Sequence, residues 1–277
     1  MSTTDAEADA AKARFQLLAE SASAPQVVQL PLWPDEKRGA PNAVLRSSVF
    51  SAAKPATRTL LDSVLLPVLP PYAIRYSGPQ LYQPDLDVWL ELVHRCRLTA
   101  SRHAAVVTIG SVLRGLGRPT NKQSYEYTRE SAKALARATV DVMCRDEKGR
   151  QRGFTGPLLM LAYDEPQGVW GVHLHPRVVA MFAPDEHTWL AASARRELGK
   201  GYLAKWLHGY FSTHRDPLPI SVERLRDLSG SGNGCLRGFR RRVREGLAEV
   251  ARVERGEGRR FEWRVDPERD VVEVSRD

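Results

Sequence analysis

The chain has 277 residues, 42% of them hydrophobic, which is enough for two ordinary domains with their own cores. A formal charge of +8 suggests a polyanionic partner, while no apolar run approaches the roughly 18 residues that a membrane span requires. Three scattered cysteines, Cys96, Cys144 and Cys235, argue against a disulfide framework, and with no basic-then-apolar leader the protein is expected in the cytoplasm.

Residues 1–25 are rich in Ala, Ser and acidic groups and offer one short amphipathic turn around Phe15, Leu17 and Leu18, so this end is expected to be largely disordered. QVVQLPLWPD follows at 26–35. Pro25, Pro31 and Pro34 forbid a helix and withhold ladder donors, so the stretch is expected to be extended. Its leucines and Trp33 leave two readings open: the peptide folds back onto its own domain, or it anchors a partner.

Two later segments share an order of parts. In the first, Leu86, Trp89, Leu90 and Val93 recur at helical spacing, Leu113 and Leu116 lie in a short helix ended by Gly117, and a turn with Pro119 leads to a third helix. Short apolar runs between charged and Gly-containing turns then read as hairpin strands. In the second, ARRELGKGYLAKWLHGYFSTH predicts one helix with Tyr202, Leu203, Trp206, Leu207 and Tyr210 inward. PISVERLRDLSG follows with Ser221 placed as its N-cap, then GCLRGFRRRVREGLAEV as a third helix and FEWRVDPERDVVEV as strand, turn, strand. Helix, short helix, turn, helix, hairpin is the order of a winged helix-turn-helix. The expected fold class is therefore α+β, two tandem winged helix-turn-helix domains over 41–184 and 185–277, preceded by a largely disordered tail over 1–40.

The third helices carry charge. Leu236, Phe239, Val243, Leu247 and Val250 share one face of the second, and Arg237, Arg240, Arg241 and Arg244 fall on a neighbouring arc with no acidic residue from 236 to 244. Such a stripe can hold phosphates and reach guanine edges in a major groove, and Asn233 among Gly230, Gly232 and Gly234 would let backbone approach DNA. In the first, Arg129 and Lys133 recur with Arg137 at a spacing of four, and Lys122, Gln123 and Ser124 open the helix. A merely solvated basic face remains the alternative for both.

A catalytic reading rests on HLH at 173–175, a strand pattern that could share a divalent metal between His173 and His175, and on YLAK at 202–205, which resembles the Tyr-x-x-Lys nucleophile of rolling-circle nickases. Against it, Tyr202 lies in an apolar helical pattern, Pro176 ends the strand and no third ligand is evident. LGKGY lacks the upstream glycine of a phosphate loop, and the cysteines form no CxxC pair. No catalytic residue, metal or cofactor is expected.

QLPLWPDEKRGAPNAVLRSSVFSAAK, IRYSGPQLYQPDLDVW at 74–89, LGRPTNKQSY at 116–125 and YFSTHRDPLPISVERLRDLSGS at 210–231 together resemble the TrfA-type plasmid replication initiators, over most of residues 26–245. The resemblance implies tandem winged helices that bind repeated origin sequences (iterons) in double-stranded plasmid DNA, open an adjacent A·T-rich region and recruit host replication proteins, namely the sliding clamp, initiator and helicase. It also implies a monomer-dimer equilibrium. QLPLW is similar to the Gln-Leu-x-Leu-Phe peptide that docks on sliding clamps, which assigns Gln29, Leu30, Leu32 and Trp33 to clamp binding, with Trp33 where Phe is usual and Pro31 pre-ordering the extended form. A winged-helix transcription regulator is the other non-enzymatic reading and has no need of that peptide.

Overall fold

The structure is a computed structural model and describes residues 29–55, 57–145, 151–164, 168–232 and 235–277. An extended stretch from Gln29 leads into strand β1 (Lys37–Pro41) and the short helix α1 (Asn42–Leu45). β2 (Phe50–Ser51), β3 (Leu60–Leu66), β4 (Tyr72–Pro79) and β5 (Leu81–Tyr82) follow. Pairing of β2 with β5 is parallel and that of β3 with β4 antiparallel. Neither pair is legible as amphipathic alternation, because β3 is largely exposed on both faces.

The first helical unit begins with α2 (Gln83–Arg97), whose first turn holds Pro84 and whose Asp85 carboxylate accepts from the backbone of Tyr82 at 2.8 Å. It continues through β6 (Ala104–Thr108), α3 (Ile109–Leu116) and α4 (Lys122–Arg137), then β7 (Thr139–Arg145), β8 (Gln151–Pro157), β9 (Met160–Asp164) and β10 (Val169–His173). Thr108 caps α3 and Asn121 caps α4, each side chain accepting a backbone N–H three residues on. β6, β10 and β9 form one sheet in that order, and β7 with β8 extends the β3-β4 hairpin into a four-stranded sheet.

Past α5 (Pro176–Ala180), β11 (His187–Ala191) pairs along the whole of β1. The predicted single helix over 194–214 is instead two, α6 (Ala192–Glu197) and α7 (Tyr202–Ser212). Gly199 at φ +51° turns the chain between them, a conformation that interrupts the helical ladder. The second unit then runs β12 (Ile220–Ser221), α8 (Val222–Ser229), α9 (Leu236–Gly256), β13 (Phe261–Asp266) and β14 (Val271–Arg276), with its sheet ordered β12-β14-β13. Ser221 accepts from Arg224 N–H at 3.1 Å and so caps α8. Apart from the β7-β8 hairpin, which follows the third helix in the first unit only, the helix-strand-helix-helix-hairpin order and the placement of the last strand between the other two are the same in both units.

Two apolar clusters result, one around Trp89, Phe50, Leu113 and Leu135, the other around Trp206, Phe211, Phe239 and Leu247. They are tied together: Ser51 Oγ donates to Gly230 O at 2.7 Å, Ser229 O accepts from Ala52 N–H at 2.8 Å, and Trp206 Nε1 donates to Ser47 O at 3.0 Å. The mixed α/β content agrees with the expected class.

The tail expected over 1–40 needs correction. Residues 1–28 lie outside those described, but Gln29 onward is packed against the first unit. Leu30 is fully buried and its N–H donates to Arg102 O at 3.0 Å. Trp33 stacks on Phe182 at 5.9 Å, Arg97 lies over its ring, and its indole N–H donates to His94 Nδ1 at 3.3 Å. An anchor of that area is stabilised more by burial against a neighbouring core than by exposure to water.

Candidate nucleic-acid interface

α9 is divided along its length into an apolar and a basic side. Phe239, Val243, Leu247, Val250 and Val253 are fully buried in the second core. At 100° per residue Arg237, Arg241 and Arg244 fall within about 60° of one another on the far side, and all three are exposed. Arg241 has only a loose pairing with Glu245 at 3.7 Å, Arg244 forms no ion pair within 4 Å but acts on the Asp270 carboxylate from farther off, and Arg237 has no carboxylate partner among the described residues. Cys235 opens the helix, its Sγ accepting from Gly238 N–H at 3.4 Å. Asn233 lies outside the described residues.

Arg240 departs from the expected stripe. It sits about 60° from Arg237, towards the hairpin, and its guanidinium donates to both carboxylate oxygens of Asp270 at 2.7 and 2.9 Å. This bidentate pair joins α9 to the β13-β14 turn, where Asp270 takes φ +51°. The hydrogen bonds from Arg240 hold the Asp270 carboxyl below the usual range. The sequence offers no contact between positions 30 apart, so a basic stripe counted along a helix takes in a residue already bonded elsewhere.

The first unit presents a weaker surface. Lys122 is 92% exposed, 3.9 Å from Glu126, and Gln123 is exposed beside it. Ser124 is half-buried and its N–H donates to the Asn121 cap. Further along α4, Arg129 buries its Nε, and Lys133 lies over the Tyr163 ring of β9 at 5.2 Å. Neither is the freely solvated cation that its spacing suggested. Both short helices that precede the third helices end on a left-handed glycine, Gly117 at φ +64° and Gly230 at φ +58°.

The constellation read as a nickase is dispersed. His175 caps α5, its Nδ1 accepting from Arg177 N–H at 3.1 Å, and stacks on Phe154. His173 packs edge-on against His103, and Lys205 is buried with Nζ 2.6 Å from Asp87. No set of three possible metal ligands occurs among the described residues. No helix among them is long and apolar enough to cross a membrane.

The residues that sequence reasoning passed over lie where the two units meet: Arg118 in the α3-α4 turn, Arg196 in the last turn of α6 and Lys200 in the α6-α7 turn. The signal for Arg118 and Lys200 was the pairing of basic residues with Gly117, Gly199 and Gly201, which marks cations carried on turns.

A family model described as TrfA protein matches residues 23–259. Plasmid replication initiator protein TrfA of Escherichia coli is 26% identical over 223 residues, 79% of this chain. The chain spans 58% of that relative's length. A crystal structure of domains 2 and 3 of RctB matches with a TM-score of 0.57 at 13% identity, covering 86% of this chain and 96% of the other. A second RctB domain 2-3 crystal structure gives 0.53 at 13% identity, covering 85% and 96%. At that identity the RctB likeness concerns fold alone. With the family model matched across most of its length, the chain belongs to the TrfA family.

Proposed function

We propose that this chain is a plasmid replication initiator that reads origin iterons in double-stranded DNA through two tandem winged helix-turn-helix domains, without catalysis of its own. The observation that carries the reading is the exposed arc of Arg237, Arg241 and Arg244 on the solvent side of a helix whose other side is core. Each third helix lies in a unit with the strand order of a winged helix, so α9 and α4 would enter successive major-groove faces. Arg237, Arg241 and Arg244 supply base and phosphate contacts, and Arg240 positions the wing. Lys122, Gln123 and Ser124 serve the first groove, with Arg129 and Lys133 supporting α4 from within.

Origin opening and recruitment of the clamp, initiator and helicase belong to the same proposal and draw on the family resemblance. Clamp docking through Gln29, Leu30, Leu32 and Trp33 then requires the segment to leave its groove, since Leu30 and Trp33 face inward and Leu32 alone is exposed, at 63%. That burial favours the second reading, a winged-helix transcription regulator, which has no use for a free peptide.

Binding of the purified chain to its own origin against random duplex, titrated with salt, tests the reading. A preference of about a thousandfold with a steep salt slope is expected. Arg237→Ala is expected to cost about 1 to 3 kcal/mol and relax preference at one position. Equal loss on origin and random DNA for Arg237, Arg241 and Arg244 alike would remove the reading helix. Support of plasmid replication by the chain in a host separates initiator from regulator.

A further inference from the structure

Between the two units lies a cleft of about 490 Å³. On the first unit it is lined by the α3-α4 turn and by Gln123 and Ser124 of α4; on the second, by α6, the Gly199 break and the start of α7.

Buried in its lining, Asp87 accepts from Arg195 Nε at 2.7 Å and from Lys205 Nζ at 2.6 Å, and Arg118 stands 3.9 Å away. One carboxylate faces three cations, which leaves two positive charges over. The excess is visible in both partners. Burial raises the Asp87 pKa, but Arg195 and Lys205 outweigh it and hold the carboxyl below its usual range. Lys205 is nonetheless also pushed down, by burial and by Arg195, because its single carboxylate is shared. Arg196 and Lys200 add two exposed cations that have no carboxylate partner among the described residues. Arg196 passes close over the first unit: a Cβ on Gly117 would stand 2.6 Å from its Cδ. Arg118 lies over the Tyr127 ring at 5.2 Å, which holds it in place.

We propose that this cleft is a phosphate-binding site, in which Arg118, Arg196 and Lys200 hold the anion and Gln123, Ser124 and Tyr202 supply hydrogen bonds. A pocket with surplus positive charge and donors from two units is suited to a phosphate oxyanion. The source it fits best is a backbone phosphodiester of the duplex where the strand passes from one unit to the other. That assignment rests on the reading above, since the first turn of α4 both lines the cleft and opens the first reading helix. A phosphate held there fixes how far apart the two helices read.

The test compares the full chain with Arg196→Ala/Lys200→Ala, with Lys200→Gln as a milder variant. Arg255→Ala, roughly 27 Å along α9 from Arg237, controls for net charge. Salt-titrated binding to origin and random duplexes is read first. The double variant is expected to bind both at least tenfold more weakly and to lose up to about 0.9 from the salt slope, the value of the one phosphate contact removed, with Arg255→Ala losing far less. Pyrophosphate is then added to the free proteins and the melting temperature followed. Stabilisation of the wild type but not the variants, with DNA binding unchanged, assigns the site to a free phosphate ligand. Unchanged salt slope together with no response to pyrophosphate overturns the proposal. A wild type without origin preference would defeat the initiator reading by itself, and the pyrophosphate arm would still judge the cleft.

Discussion

Trp33 shows how one residue decides between a tail and a core. Its ring is 4% exposed, and its indole N–H needs an acceptor nitrogen on His94. Burial, with Arg38 and Arg97 nearby, lowers the His94 pKa to about 3. A histidine held neutral in the folded state takes up its proton on unfolding. The stability it confers is therefore whole above its ordinary value of 6.5 and declines as pH falls towards 3. At pH 5 urea unfolding is expected to show a loss of about 1 to 2 kcal/mol relative to pH 8 from this group, and His94→Gln should flatten that dependence. Trp33→Ala is expected to cost about 3 to 5 kcal/mol, whereas Leu32→Ala, at an exposed position, should stay within about 0.5 kcal/mol. Equal effects of the two would mean that the segment is not seated in the groove.

At the scale of elements, α9 explains itself: five apolar positions at helical spacing bury one side, and the arginines occupy what remains. The local wording of the sequence was also sufficient for α2 through its apolar spacing, for the end of α3 at Gly117 and for the start of α8 at Ser221; the caps at Thr108 and Asn121 came from the structure. It failed for α6 and α7, where one continuous apolar periodicity runs through a break at Gly199. Gly230 is a useful probe of such an end. With φ +58° and a potential Cβ 2.9 Å from Ser48 Cβ, Gly230→Ala is expected to cost about 1 to 2 kcal/mol in thermal unfolding. Asp270→Ala frees Arg240 from the hairpin turn; if Arg240 only positions the wing, origin affinity should fall with little change in which bases are preferred.

For the molecule as a whole, the contact between units is charged and buried. Asp87 comes from α2, Arg195 from α6 and Lys205 from α7, and all three are at most 9% exposed. Asp87→Ala would leave two cations in the interface without their carboxylate and is expected to cost about 3 to 5 kcal/mol, with loss of coupling between the units detectable by limited proteolysis. A second buried pair, His208 with Glu254, adds to the acid response. Burial lowers the His208 pKa despite its hydrogen bond to Glu254. Burial raises that of Glu254, but His208 and Arg259 overcome it and bring the carboxyl to about 2. His208 loses its contribution as pH falls below 6.5 and Glu254 as pH falls from about 4.5 towards 2, so both oppose acid.

By itself the sequence determined the repeated order of helices and hairpins and the faces of the third helices. Periodicity, caps and glycines act over a few residues, and their physics is complete within that distance. Which cations stay free was decided only by the tertiary structure: Asp270 takes Arg240 from 30 positions away, and Tyr163 takes Lys133 from 30 positions away. The same holds for the β3-β4-β7-β8 sheet, the seat of Trp33 and the cleft between the units. Each depends on partners brought together by the fold, and a charge or an aromatic ring carries no mark in the chain of the group that will meet it.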